Sequence, residues 1–268
     1  MIAIVTDSSA GYSSAELNKI GVMAVPLSYI CDGKIYEEKN RGENGDFTAI
    51  VECGRAKTSQ PPLAMFVDTF SALVKKGCDV LCILLSGGLS GTYASACSAA
   101  KQVGGNIRVV DSLTTNGGLH LLVDEAVNMV VGGLSLDAIA KNLEILRTKT
   151  GTVFTVDGIE NLIRGGRLTS SQKPNTTLNT RPVFSLGGGI RFITNVRGTA
   201  ARCKALAEAV PGNARRIFVM RSGEDVDVTP LMQLLKAEHK ETRVHLRNVG
   251  PVLSIHLGFG AFGVAYIA

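Results

Sequence analysis

The sequence lacks the features that would place it in several large classes. No apolar run reaches about 18 residues, so no membrane-spanning helix is expected. The start, Met1-Ile2-Ala3-Ile4-Val5, carries no basic segment and no cleavage site, which argues against a secretion signal. Charged residues make up only 19 % and apolar residues 45 %, which argues against long disordered stretches and for a real core. Tryptophan is absent, and the cysteines at 31, 53, 78, 82, 97 and 203 include no C-x-x-C pair. Three of them sit in apolar or small-residue segments. The set reads as buried thiols of a reducing cytoplasm rather than disulfides or a zinc site. No H-x-x-x-H or carboxylate cluster has metal spacing, and no G-x-x-x-x-G-K-[ST] occurs, so neither a metal nor a cofactor is expected. Gly258-Phe259-Gly260-Ala261-Phe262-Gly263 does satisfy G-x-G-x-x-G, but no room follows it for a dinucleotide-binding unit. It reads instead as close backbone packing or a ligand-lining loop.

What is present is 30 glycines, a formal charge of +5 and an arginine-rich stretch over residues 164–221. That stretch is either a solvated surface or a face for an acidic partner or a phosphate-bearing ligand. No duplex-reading motif accompanies it, so no nucleic-acid partner is expected.

The first half alternates short apolar strands with helices, which predicts a mostly parallel α/β sheet. Ile2 to Thr6 reads as a strand. Ser13-Ser14-Ala15-Glu16 is a capping box for a helix to Ile20, closed by Gly21. Val22 to Tyr29 reads as a second strand. Pro61-Pro62 opens a helix that ends at Gly77, and Val80 to Leu85 is an apolar run of strand length. Thr92 to Val103, 116–131 and 136–148 read as helices, and Ile107 to Asp111 as a strand between the first two. Near Gly151 the pattern changes. Val153 to Val156 is a strand, and Val183 to Leu186 with Ile190 to Thr194 forms a hairpin about Gly187-Gly188-Gly189. A helix over 199–209 and strands at Ile217 to Met220, Val244 to Val249 and Val252 to His256 follow. The fold class is therefore α/β with two domains, 1–150 with a parallel sheet and 151–268 with a hairpin and a mixed or antiparallel sheet.

In a parallel sheet, ligands sit beyond the carboxyl ends of the strands. Asp7-Ser8-Ser9, Ser86 to Thr92 and Asp111-Ser112 fall there, and Thr58-Ser59-Gln60 precedes the proline-started helix. The small and hydroxyl residues around Ser90, at a helix start, suit an anionic head, phosphate or carboxylate. Each cluster alone could be ordinary N-capping; together at one sheet end they favour a binding site. A serine hydrolase is the enzyme to weigh. The order Ser90, then Asp111 or Asp157, then His256 fits one, but Gly88-Leu89-Ser90-Gly91-Thr92 has Thr where G-x-S-x-G needs its last Gly.

Seven segments, in order across nearly the whole chain, carry a resemblance. They are Ile4 to Ser9, Lys57-Thr58-Ser59-Gln60-Pro61-Pro62, Leu89-Ser90-Gly91-Thr92-Tyr93-Ala94-Ser95-Ala96, Val110-Asp111-Ser112, Gly165-Gly166-Arg167-Leu168, Val196-Arg197-Gly198, and Gly250-Pro251-Val252 through His256 to Gly260. The chain resembles the DegV family of bacterial fatty-acid-binding proteins. The resemblance implies two domains with a lipid tunnel between them, a cytoplasmic carrier without catalytic residues of its own, and a long-chain fatty acid as ligand. It implies that Thr58, Ser90 and His256 hold the carboxylate, with Ser59 and Gly91 beside them. It further implies a fatty-acid kinase as partner, served by Arg167 and Arg197, and only transient contact with a membrane. A Ser90/His256 esterase and a sensor of another small carboxylate are the alternatives.

Two departures stand out. The family usually carries G-P-G-A where this chain has Gly258-Phe259-Gly260-Ala261, so Phe259 is expected to narrow or reshape the pocket mouth. The segment Lys39 to Arg55 is shorter and more polar than usual, which bears on a lid over the site. Physical chemistry divides the work within such a site. At about 0.8 kcal/mol per buried CH₂, roughly fifteen methylenes contribute on the order of 12 kcal/mol gross. Head-group hydrogen bonds contribute roughly 1–3 kcal/mol each at most. The head then sets orientation, and the apolar lining sets strength.

Overall fold

The computed structural model describes residues 1–169, 174 and 179–268. The chain opens with β1 (Ile2–Asp7) and α1 (Ser14–Ile20). Both halves of the capping box form: the Ser13 hydroxyl accepts from the Glu16 amide, and the Glu16 carboxylate accepts from the Ser13 amide. Gly21 closes the helix at φ 67°, where a side chain would be strained. β2 (Val22–Val25) follows. The strand expected from Val22 to Tyr29 is broken at Pro26, which has no amide proton to donate to a ladder. The chain re-enters an extended state as β3 (Ser28–Cys31), turns at Asp32-Gly33, both with positive φ, and returns as β4 (Lys34–Glu37).

After that hairpin come α2 (Thr48–Glu52), β5 (Lys57–Ser59), α3 (Leu63–Lys75) and β6 (Asp79–Leu84). α4 (Thr92–Val103), β7 (Ile107–Asp111), α5 (Asn116–Val131) and α6 (Leu136–Leu146) complete the alternation. The second half holds β8 (Thr150–Thr155), α7 (Glu160–Arg164), the hairpin β9 (Thr180–Leu186) and β10 (Ile190–Arg197), and α8 (Gly198–Glu208). β11 (Arg216–Arg221), α9 (Thr229–Glu238), β12 (Val244–Asn248), α10 (Pro251–Leu257) and β13 (Phe262–Ile267) follow. A further expectation is corrected here. Residues Val252 to His256 form a helix, not a strand: Pro251 occupies its first turn and Gly258 ends it at φ 74°. The glycine-rich run feeds β13, which pairs with β8 on one side and β11 on the other.

Among the described residues three sheets form. β2-β1-β6-β7 is parallel throughout. β10-β9-β8-β13-β11-β12 is mixed, with only β11 and β12 parallel, and β4-β3-β5 is a small antiparallel sheet. The parallel sheet has apolar cores on both faces, one under α3 and α4 around Phe66 and Phe70, the other around Leu119, Leu122 and Ile139 of α5 and α6. β6 is buried almost along its whole length, as its continuous apolar run requires.

α5 is the spine of the molecule. Its first half, Asn116 to Val123, is wholly buried, because the helix packs on the parallel sheet and also on β8, β11 and β13 of the mixed sheet. Gly117 and Gly118 permit that approach: a Cβ on Gly117 would stand 2.8 Å from Met220 Sδ and 3.0 Å from Ala265 Cβ. α10 crosses back in the other direction. It packs against α2, β3 and β5, and places Val252 and Ile255 in the first core.

Candidate functional site

A cavity partly open to solvent lies between the parallel and mixed sheets. Leu85, Phe154, Leu186, Ile190, Met220, Val249, Leu253 and Phe262 supply much of its wall, from both halves of the chain. Polar residues also line the wall, among them Thr58, Ser59, Ser90, Arg167 and His256, and separately Ser9, Thr115 and Asn116.

Thr58 sits on β5, opposite Tyr29 of β3. His256 sits on α10. The two elements bring Thr58 Oγ1 within 2.7 Å of His256 Nε2. The imidazole is 8 % exposed. Burial, followed by the nearby Arg167 and Arg164 guanidinium groups, pushes its pKa down from 6.5 to about 4, so it is neutral at pH 7. Its Nδ1 has no hydrogen-bond partner among the described residues. Gly165 lies directly against that face of the ring: a Cβ there would come within 2.3 Å of Nδ1.

Ser90 ends the loop that follows β6, with Gly91 at the start of α4. The Ser90 hydroxyl pairs with Thr92 Oγ1 at 2.8 Å, beside the positive end of the helix dipole. Gly91 leaves room for the Gln60 side chain, whose Oε1 would be 1.9 Å from a Cβ at that position. Arg167 ties this loop to the turn after α7: its Nε donates to Leu89 O at 2.9 Å and its Nη1 to Gly165 O at 2.6 Å. Ser59 lines the same wall and donates to the Gln60 carbonyl at 3.2 Å.

The second polar group is organised by Asp7 at the end of β1. Its carboxylate accepts from the Ser9 amide and hydroxyl and from the Leu85 amide, at 2.6 to 3.0 Å. The Ser9 hydroxyl in turn accepts from Thr115 Oγ1 at 2.9 Å. Burial outweighs these bonds and pushes Asp7 up to about 6. Glu38, just past β4, is also buried. It accepts from Ser8 Oγ at 2.7 Å and from the Val252 amide at 3.0 Å, capping α10, and burial pushes it up to about 7.

The mixed sheet is latched onto the parallel one at its hairpin tip. Gly188 N donates to Leu113 O at 2.9 Å, and Ser86 Oγ donates to Gly188 O at 2.6 Å. Gly88 faces the same carbonyl so closely that a Cβ would sit 1.9 Å from it.

Five of the residues singled out from sequence therefore meet: Thr58, Ser59, Ser90, His256 and Arg167 all line the cavity, with Gly91 beside Gln60. Arg167, assigned from the resemblance to a partner, is a wall residue. Arg197 is not brought there. It is exposed and pairs with Thr180 at the far end of the hairpin whose tip is latched, about 23 Å along β10 from Ile190 at a strand rise of about 3.3 Å per residue. Phe259 does not line the cavity either: it packs on Phe47, with ring centroids 6.3 Å apart, and against Gly223. Thr152, Arg221 and Ser222 are wall residues that sequence reasoning missed; only the polar interruption of apolar strands marks them.

A hydrolase needs a nucleophile bonded to a base, and the base to an orienting acid. Ser90 is bonded to Thr92, and His256 to Thr58. Asp157 is engaged by Arg202 at 2.7 Å, and Asp111 accepts from the Gly87 and Leu113 amides. The triad suggested by chain order does not assemble. Among the described residues, no cluster of His, Cys, Asp or Glu could hold a metal ion, and no helix is long and apolar enough to cross a membrane.

The sequence profile of the DegV family matches residues 1–268. The chain belongs to the DegV family. A DegV domain-containing protein of Deinococcus radiodurans is 33 % identical over 274 residues, covering 98 % of this chain and 97 % of that one. The fold is shared with a DegV family protein of Thermus thermophilus described by its fatty acid binding (TM-score 0.88, 30 % identity, 100 % of this chain and 99 % of that one). It is shared equally with DegV of Bacillus subtilis, described as a fatty acid binding protein (TM-score 0.88, 26 % identity, 99 % and 98 % covered). In this DegV chain the predominantly apolar cavity lies between the two large sheets.

Proposed function

We propose that the chain is a non-catalytic carrier of a long-chain fatty acid, working in the cytoplasm and presenting its cargo to a fatty-acid kinase. Its tail fills the apolar cavity. Its carboxylate meets Thr58, Ser59, Ser90 and His256, with the Arg167 guanidinium nearby and Gly91 at the α4 start. The observation that carries this reading is the Thr58–His256 pair on the wall of a predominantly apolar cavity. Neutral hydroxyls and an imidazole suit a single carboxylate, which needs several hydrogen bonds and no counter-ion of its own.

The test is mass spectrometry of the purified protein, native and then after organic extraction. A one-to-one excess identified as a long-chain fatty acid supports the reading. Absence of lipid, together with no uptake when fatty acid is added back, overturns it. The kinase role has its own test. Arg197→Ala should retain lipid while losing transfer to the partner, because Arg197 lies outside the cavity. Arg167→Ala should weaken lipid binding itself, because it frees the Leu89 and Gly165 carbonyls.

A further inference from the structure

Two thiols stand together next to the strand that carries Thr58. Cys31 is buried at the end of β3, and Cys53 is half-buried at the end of α2. Their sulfurs are 3.5 Å apart. A disulfide has S–S of about 2.05 Å, so closure asks for a shift of about 1.5 Å between two side-chain ends. The backbone around them is already clamped. Arg55 and Asp32, each close to one of the thiols in sequence, make a two-pronged ion pair, Nε to Oδ1 at 3.0 Å and Nη2 to Oδ2 at 2.9 Å. The two sulfurs differ in character. The Arg55 amide donates to Cys53 Sγ and, with the Cys31 thiol and the Arg55 charge, draws that thiol below its ordinary pKa. The Cys31 thiol is pushed up, first by its hydrogen bond to Cys53. One attacking and one resolving sulfur result.

We propose that Cys31 and Cys53 form a redox-active dithiol that a hydroperoxide closes, reversibly, to a disulfide. The Cys53 thiolate attacks the terminal oxygen of R–O–O–H. The O–O bond breaks, the alkoxide leaves and takes up a proton as R–OH, and Cys53 becomes a sulfenic acid. Cys31 sulfur then attacks Cys53 sulfur, and hydroxide departs with the Cys31 proton as water. Two thiols lose two electrons and two protons; the peroxide gains them. A cellular thiol reductant reverses the step. The bond would staple α2, which packs on the His256-bearing helix α10, to β3, the partner strand of β5.

The experiment exposes the whole protein to equimolar hydrogen peroxide, blocks free thiols, and maps peptides without reductant. The expected result is one cross-linked peptide joining Cys31 to Cys53, removed by dithiothreitol, with amide exchange over residues 47–59 slowed several-fold in the oxidised protein. Cys53→Ser, at the half-exposed position, should slow peroxide consumption at least tenfold. Cys31→Ala should stop at a sulfenic acid that dimedone traps on Cys53. A cross-link through other cysteines, over-oxidation of Cys53 without a cross-link, or no reaction overturns the proposal. None of these readouts depends on lipid, so the carrier reading stands or falls separately.

Discussion

Thr58 Oγ1 and His256 Nε2 lie 2.7 Å apart although 198 residues separate them along the chain. Thr58→Val removes the hydroxyl but keeps the shape, and leaves a buried imidazole nitrogen without a partner. Fatty-acid affinity should fall about tenfold, the effect of roughly 1–2 kcal/mol, while Thr58→Ser stays near wild type. Displacement of a fluorescent fatty acid checks this; equal affinity in the Val variant would remove Thr58 from the head-group site.

His256 is neutral in the free protein, held at about 4 by burial and by Arg167 and Arg164. A carboxylate bound beside it favours the imidazolium and should raise that value. Binding then takes up protons between the free and bound pKa values, and affinity gains as pH falls through the bound one. NMR titration of the His256 ring, without and with ligand, measures both. A ring that titrates identically in the two states does not face the carboxylate.

Gly165 has an ordinary helical φ of −74°, so Gly165→Ala strains no backbone. Its methyl group would nonetheless press on His256 Nδ1 at 2.3 Å. Expected is a loss of about 1–3 kcal/mol in stability, typical of overpacking, with weakened fatty-acid binding. Denaturant melts and the same displacement assay decide it; a stable variant that binds normally means the ring moves freely.

Glu38 gives a pH signature of its own. Its pKa is raised from 4.5 to about 7, so the folded state holds the extra proton and its contribution to stability declines as pH rises through that window. His256, lowered from 6.5 to about 4, works with the opposite sign: its neutral state favours folding above 6.5 and that gain is lost as pH falls toward 4. Comparing Glu38→Gln with wild type isolates the first effect. The stability difference should move in the variant's favour by about 3 kcal/mol between pH 4.5 and pH 8, at 1.36 kcal/mol per pKa unit. A pH-independent difference would mean that Glu38 titrates normally.

Much of the first half was legible because its punctuation is chemical. The Ser13–Glu16 capping box, Pro61-Pro62, Gly77 and Gly104-Gly105 mark element ends that the structure keeps. α10 was not legible, because Val252, Ser254, Ile255 and His256 are all buried. A short helix covered on nearly every side shows no amphipathic period and mimics an apolar strand. β13 was hidden for a related reason, since a central strand buried on both faces does not alternate. The site divides the same way. Thr58, Ser90 and Arg167 carry recognisable local motifs, whereas Thr152, Arg221 and Ser222 reach the wall only through the pairing of distant strands. No local pattern encodes the fact that Arg197 points elsewhere.

The crossing of α10 back to the first core has a consequence for the order in which the molecule is made. A ribosome releases residues 1–248 before it releases α10 and β13. Until then the mixed sheet is split, with β8 and β11 waiting for the strand that joins them. Glu38 lacks the Val252 amide, and Thr58 lacks its imidazole. The parallel sheet can mature early from local βα contacts, but the cavity wall closes only once α10 and β13 have been made. The segment that joins the two halves of the mixed sheet is thus also the one that supplies His256 to the candidate site.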